Sequence, residues 1–457
     1  MLTDALAGLA GELDDGLLVT DPQVVAAHAG DQVPGLGSGT PLALVRPRTT
    51  QDVATVLRWA SAHGVPVVPR GAGSGLAGAA NAVDGAVVVS LAAMDRVLEV
   101  NPADRYVVVQ PGAVTAAVDA AARAHGLSYP PDPASKDFST IGGNIATNAG
   151  GLCCVKYGVT ADFVLALEVV LADGSIVRTG HRTRKGVAGY DLTHLMVGSE
   201  GTLGVVTEAT LRVVPAPLAA ATLVAFFPTL ESAGTAVAAI AADGLGPSLL
   251  EIMDATTIRV VDEAHRMDLD RDAAALVLAQ CDTGPRAAED IAELAVRCEA
   301  AGAGFVASTD DPAEGEALLA ARRAAYPSLE RLGATLLDDV CVPVSALPAA
   351  IAAIEAIAER YELLIGTFGH AGDGNLHPTI VYDATSADRA AKAFDDILTA
   401  ALELGGTITG EHGVGRLKAH RLADELGPAG IRLQHAVKAA FDPAGILNPG
   451  AVLPPLP

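Results

Sequence analysis

The chain has 457 residues, enough for two or three domains with their own cores, and its 54 acidic against 30 basic side chains leave a formal net charge of −24. That balance excludes a nucleic-acid partner, because a phosphate-tracking surface needs clustered Lys and Arg. Half of the residues are apolar, but the start, MLTDALAGLAGELDD, is acidic with no basic leader, and the most apolar run, VVPAPLAAATLVAFFP (213–228), is broken by prolines. A soluble, cytoplasmic protein with no integral membrane segment is expected.

Residues 1–41 are expected to form an N-terminal helical segment. A glycine-rich domain with short Val/Ile runs follows over 42–215. Its helix, TTQDVATVLRWASAHG (49–64), precedes the strands VPVVP (65–69), GAVVVSL (85–91), YVVVQPG (106–112), VLALEVVLADGSIV (164–177) and GVVTEATLRVVP (204–215). Residues 216–404 alternate strands with Ala-rich helices such as LPAAIAAIEAIAERY, and 405–457 returns to glycine-rich loops ending in FDPAGILNPG. The predicted class is α+β, a two-subdomain first domain followed by a second domain whose antiparallel sheet is covered by helices. Cys153, Cys154, Cys281, Cys298 and Cys341 show no CxxC spacing, so neither a disulfide scaffold nor an iron–sulfur cluster is indicated.

Three glycine-rich loops carry chemistry. PRGAGSGLAGAA contains a formal GxGxxG, yet GAVVVSL begins within a few residues, leaving no room for the helix that a Rossmann fingerprint requires. It reads as a loop between strands whose bare N–H groups can cradle a diphosphate. PPDPASKDFSTIGGNIATNAGG (130–151) and GSEGTLGVVTEA (198–209) add further glycines and short hydroxyls, more than turn chemistry alone needs.

HAGDGNLH (370–377) raises a separate question. Asp373-Gly374 is a favoured two-residue hairpin turn, and counting outward from it sets His370 opposite His377, with Cβ atoms about 4.5–5.5 Å apart on one face. The competing reading has each histidine merely ending a strand. Two facing imidazoles plus the Glu411-His412 pair of GEHG match a catalytic metal set of nitrogens and a carboxylate.

The segments PRGAGSGLAG, STIGGNIATNAGG, KYG (156–158) and GYDLTHLMVGSEGTLGVVTEATLRV resemble the FAD domain of the vanillyl-alcohol oxidase or p-cresol methylhydroxylase type. GHAGDGNLHP, GEHGVGRLK and FDPAGILNPG resemble its D-2-hydroxyacid dehydrogenase branch, which includes D-lactate and D-2-hydroxyglutarate dehydrogenases and the glycolate oxidase D subunit. The resemblance implies FAD contacts at Arg70, Gly71, Ala72, Gly73, Ser74, Gly75, Leu76, Pro131, Asp132, Ser135, Ser139, Thr140, Gly142, Gly143, Asn144, Thr147, Asn148, Gly150, Gly201, Val205, Val206 and Asn448. The diphosphate loop holds no His, Cys or Tyr, so the FAD is expected to be non-covalent. It also implies a divalent metal, Zn first with Mn or Fe as alternatives, on His370, His377 and Glu411, and a catalytic base at His412. The stretch AARRAAYPSL resembles the family's R-[KR]-x-x-[FY]-P segment and places Arg322 on the substrate carboxylate.

The implied reaction is oxidation of a small D-2-hydroxyacid to the 2-oxoacid by hydride transfer to flavin N5. D-lactate and glycolate are favoured over 2-hydroxyglutarate, because hydroxyglutarate enzymes carry a lysine where this chain has Leu337. Electrons must leave to an external acceptor: a cytochrome, a quinone, an electron-transfer flavoprotein or partner subunits. The alternatives are a D-2-hydroxyglutarate dehydrogenase, a transferase resembling alkylglycerone-phosphate synthase, and a non-catalytic flavin subunit of a larger complex. A homodimer stays open as the oligomeric state.

Overall fold

The computed structural model describes residues 2–33, 35–183, 185–242 and 244–456. They fall into two compact units: Met1–Gly150, Val159–Ala216 and Glu411–Pro457 form the first, and Gly151–Gly158 with Pro217–Gly410 form the second. The breaks thus lie at 216/217 and 410/411, beside the expected 215/216 and 404/405. Residues 1–41 sit in the first unit with 42–150, and 151–158 lie in the second although their sequence neighbours lie in the first.

In the first unit, Ala43–Val45, Val87–Ser90 and Val67–Arg70 run parallel, with the short Leu18–Val19 antiparallel at the edge. These strands are apolar at nearly every position because both faces are covered. Leu44 and Val88 pack with Val25 and Ala29, whereas Ala43, Val45, Val87 and Val89 pack with Val53, Val56 and Leu57 of the helix Thr50–His63. Local chemistry delimits that helix: Thr49 and Asp52 form a reciprocal capping box, and Gly64 at φ 63° ends it. The strands Val67–Arg70 and Val87–Ser90 are parallel neighbours joined by the glycine-rich loop with no intervening helix.

A second sheet of the same unit is antiparallel, in the order Val97–Asn101, Tyr106–Val109, Val205–Arg212, Val164–Val170, Ile176–Gly180. The second unit is built on an eight-stranded antiparallel sheet ordered Phe305–Thr309, Ala221–Phe227, Ala275–Cys281, Leu249–Asp254, Leu364–His370, Asn375–Tyr382, Ala334–Leu337, with Val340–Cys341 also on Asn375–Tyr382. The helices Leu230–Ala242, Ala255–His265, Ala287–Ala300 and Leu347–Tyr361 bury apolar stripes against it. The short helix Cys154–Tyr157 packs on Leu249–Asp254, and Lys156 and Tyr157 both bond the Asp282 carboxylate. The α+β expectation therefore holds. Among the described residues no helix is long and apolar enough to cross a membrane.

Candidate active site

In the first unit the loop after Val67–Arg70 runs against the start of the helix Ile141–Thr147. A methyl on Gly71 would overlap Thr140 Oγ1 and lie 3.5 Å from Gly143 N, so only glycine lets these segments touch. Thr140 Oγ1 is buried and has no hydrogen-bond partner. An orphaned hydroxyl beside two glycine backbones is the equipment of a phosphate cradle, and it fits the diphosphate of FAD. Arg70 folds back beneath the turn at Gly73 and donates from Nη1 to Gly30 O at 2.5 Å. Burial lowers its pKa, and the nearby Asp31 carboxylate opposes that shift.

Other expected cofactor residues are placed differently. Ser139 Oγ lies 3.0 Å from Thr115 Oγ1, and Asn144 Nδ2 donates to the same hydroxyl at 2.7 Å, so both side chains are turned into the protein as scaffolding. Asn148 caps its helix at φ 53° and accepts the Ala161 amide at 2.8 Å. Thr147 Oγ1 bonds back to Gly143 O, and the Ser135 carbonyl accepts the amides of Phe138 and Ser139. Pro131 and Gly150 are buried, Asp132, Ser74, Gly75 and Leu76 half-buried, and Ala72 exposed. Gly201 takes φ 71° against the Pro69 ring. Val205 and Val206 pair with Val170 and Val169, and the Val205 side chain belongs to the core. Asn448 donates to both Ala79 O and Glu200 O at 2.8 Å and accepts Arg416 Nη2.

Glu200, absent from the sequence expectations, ties these loops together. Its buried carboxylate accepts Val414 N at 2.8 Å and Gly415 N at 2.9 Å. Burial pushes its pKa up to about 7, with the two amide bonds pulling the other way. Gly415 itself, at φ 52°, lies against Ala77 O, which accepts the amides of Arg416 and Leu417. The GEHGVG loop is thereby pinned to the glycine-rich loop within one unit. On it, Glu411 Oε1 and His412 Nε2 are 3.9 Å apart, both side chains half-buried. An acid between two glycines in GSEGTLG was the available signal for Glu200.

The second unit holds the histidines, and here the expected register is corrected. His370 pairs with Asn375 and Phe368 with His377, so the hairpin loop is the four residues 371–374. Its turn closes from His370 O to Asp373 N at 3.1 Å. A two-residue type I′ turn needs positive φ at both central positions, and only Gly374, at 78°, has it. The loop is held by neighbours instead: Gly372 N donates to Leu250 O, and Gly374 O accepts Val342 N at 2.9 Å. His370 and His377 are thus diagonal rather than opposite, still on one face, with ring centroids 5.2 Å apart and planes at 84°.

Buried carboxylates stand beside both rings. Glu251, fully buried, lies with Oε1 2.6 Å from His370 Nδ1 and accepts from Arg322 Nε at 2.7 Å through Oε2. The Arg322 guanidinium stacks 4.6 Å from the Phe368 ring. Asp339 Oδ1 lies 3.7 Å from His377 Nδ1 and accepts Asn375 Nδ2 at 2.7 Å, while its Oδ2 accepts Thr409 Oγ1 and Gly410 N. Gly410 is the residue joined by a peptide bond to Glu411. Imidazoles backed by buried carboxylates are a donor set that suits a divalent metal. Sequence reasoning missed both acids, although Glu251 interrupts an otherwise apolar run, SLLEIM. Leu337 is buried and pairs with Thr379.

Comparison with known proteins agrees with this architecture. Residues 41–180 match the FAD binding domain family and residues 216–452 match the FAD linked oxidases, C-terminal domain. The chain is 45% identical over 416 residues to glycolate oxidase subunit GlcD of Bacillus subtilis, covering 90% of this chain and 88% of that one. It is 37% identical over 436 residues to a D-lactate dehydrogenase of Anaerostipes hadrus, covering 92% and 91%. In fold it is similar to 4-ethylphenol oxidase from Gulosibacter chungangensis, with TM-score 0.81 at 20% identity over 99% of this chain and 97% of that one. It is also similar to p-cresol methylhydroxylase, with TM-score 0.79 at 16% identity over 99% and 96%. The chain therefore belongs to the FAD-linked oxidases, with the two-domain fold of the vanillyl-alcohol oxidase and p-cresol methylhydroxylase type, and is an FAD-linked oxidoreductase.

Proposed function

We propose that the protein oxidises a small D-2-hydroxyacid, D-lactate or glycolate first, to the 2-oxoacid, using non-covalent FAD and a divalent metal, Zn first. The observation that carries the reading is the histidine face, two buried imidazoles 5.2 Å apart with Glu251 and Asp339 behind them. The likeness to GlcD and D-lactate dehydrogenase supports it. His370, His377 and Glu411 hold the ion; Thr140 and the backbone of Gly71–Gly75 and Gly143 hold the FAD diphosphate. When bound, the flavin supplies a hydride acceptor and the ion a Lewis acid that makes the hydroxyl easier to deprotonate.

Arg322 holds the substrate carboxylate through its guanidinium, whose orientation is set by Glu251 and Phe368. His412 takes the hydroxyl proton at a ring nitrogen as the Cα–H leaves with its electron pair. Leu337, uncharged, favours a monocarboxylate over a C5 diacid. Two electrons and two protons leave the hydroxyacid, and the electrons pass to an external acceptor. The test is anaerobic loss of oxidised-flavin absorbance with a panel of D- and L-2-hydroxyacids, with and without a chelator. The reading fails if no hydroxyacid reduces the flavin of metal-replete protein. His412→Ala is expected to slow reduction by about 100-fold or more, and wild-type reduction in that variant removes the base assignment.

A further inference from the structure

Glu251 touches two residues of the proposed site at once, and each bond constrains the other. The guanidinium Nε of Arg322 always carries hydrogen, so the Glu251 oxygen facing it at 2.7 Å must accept. An ionised carboxylate has only acceptors, so the oxygen facing His370 Nδ1 at 2.6 Å must accept as well. The neutral imidazole then has its hydrogen on Nδ1 and its lone pair on Nε2.

We infer that Glu251 is a positioning residue that fixes the tautomer of His370, presenting Nε2 as ligand, and that Arg322 locks this choice; the metal part rests on the reading above. One buried carboxylate thus couples the metal ligand to the group assigned to the substrate carboxylate. Burial makes the coupling strict: Glu251 is wholly inaccessible and Arg322 nearly so, so water cannot substitute for either partner. Phe368, opposite His377 in the hairpin, covers the guanidinium and keeps it in line with Glu251.

Glu251→Gln tests this with almost no change of shape. The glutamine oxygen must turn to Arg322 Nε–H, because an amide NH₂ there would set donor against donor. Its NH₂ then faces His370 Nδ1, which can only accept, and the ring hydrogen moves to Nε2. Long-range ¹⁵N–¹H correlation of histidine-labelled, chelator-treated flavoprotein at alkaline pH reads the tautomer directly, with His370→Gln assigning the signal. Wild type is expected to show Nδ1–H and Glu251→Gln to show Nε2–H, with metal affinity, measured by Co²⁺ titration, lower by about 10- to 100-fold. Adding Arg322→Met frees the glutamine to present its oxygen, and the double variant is expected to return to Nδ1–H.

Nε2–H in the wild type overturns the inference, as does an unchanged tautomer with unchanged Co²⁺ affinity in Glu251→Gln. Retention of Nε2–H in the double variant removes the part given to Arg322. Should Glu251→Gln fail to fold, the wild-type spectrum still decides. Should wild type bind no divalent ion, the metal assignment fails, while the tautomer stands or falls on the spectrum alone.

Discussion

Glu200 makes the stability of the first unit depend on pH in a direction that can be worked out. Its carboxyl, ordinarily near 4.5, is raised to about 7 by burial, despite its bonds to Val414 N and Gly415 N. The folded chain therefore holds this proton more tightly than the unfolded chain, so stability falls as pH rises between those two values. The contribution is fully present below pH about 4.5 and lost above about 7, and 2.5 units correspond to about 3 kcal/mol. Glu200→Gln cannot ionise and should lack this slope. The assay is the opening free energy of the Val414 and Gly415 amides from hydrogen exchange across that range, wild type minus variant. A difference that stays flat, or that rises with pH, refutes the argument.

Gly71→Ala should push a methyl onto Thr140 Oγ1 and cost about 1–3 kcal/mol of stability in urea unfolding, with weaker flavin retention in a fluorescence titration. Lys438 donates to Thr202 O, Leu447 O and the buried Asp442 carboxylate, so Lys438→Met should destabilise by about 3 kcal/mol in urea unfolding. Gly374→Ala places a side chain at φ 78° against Val342 O, and should cost about 2 kcal/mol and lower the Co²⁺ affinity of the histidine face.

Much of the fold was legible where its causes are local. The capping box of Thr49 and Asp52, the terminating Gly64 and the two-sided apolar run Val87–Val89 lie within short windows of sequence. The glycine-rich segment after Val67–Arg70 was legible as a loop between strands with no helix, because the next strand begins too soon for one. Side-chain direction was not. Ser139 and Asn144 look like ligand donors in sequence, but Thr115, 24 and 29 residues away, draws both inward. Glu251 and His370 are 119 residues apart and meet only because Leu249–Asp254 and Leu364–His370 are sheet neighbours. Likewise 151–158 depart from their sequence neighbours: Val155 packs on Gly372, a contact that no window of sequence contains.

The hairpin shows why two side chains can be assigned to one face from a register that is wrong. Asp373-Gly374 suggested a two-residue turn with His370 opposite His377, whereas the loop has four residues and the partners are Asn375 and Phe368. The error moves one strand by two positions. Side chains alternate with period two, so such a slip leaves every residue on its own face, while a slip of one would have sent His377 to the other side. Diagonal neighbours remain within reach of large rings, hence the 5.2 Å between the imidazoles. The slip also creates what the simpler register lacked: Phe368 takes the place opposite His377 and lies against Arg322, so the hairpin holds the guanidinium as well as the histidines. Replacing Phe368 with Leu should therefore loosen Arg322 and raise the KM for a hydroxyacid more than it lowers kcat. If kcat falls while KM holds, Phe368 serves the histidines and not the guanidinium.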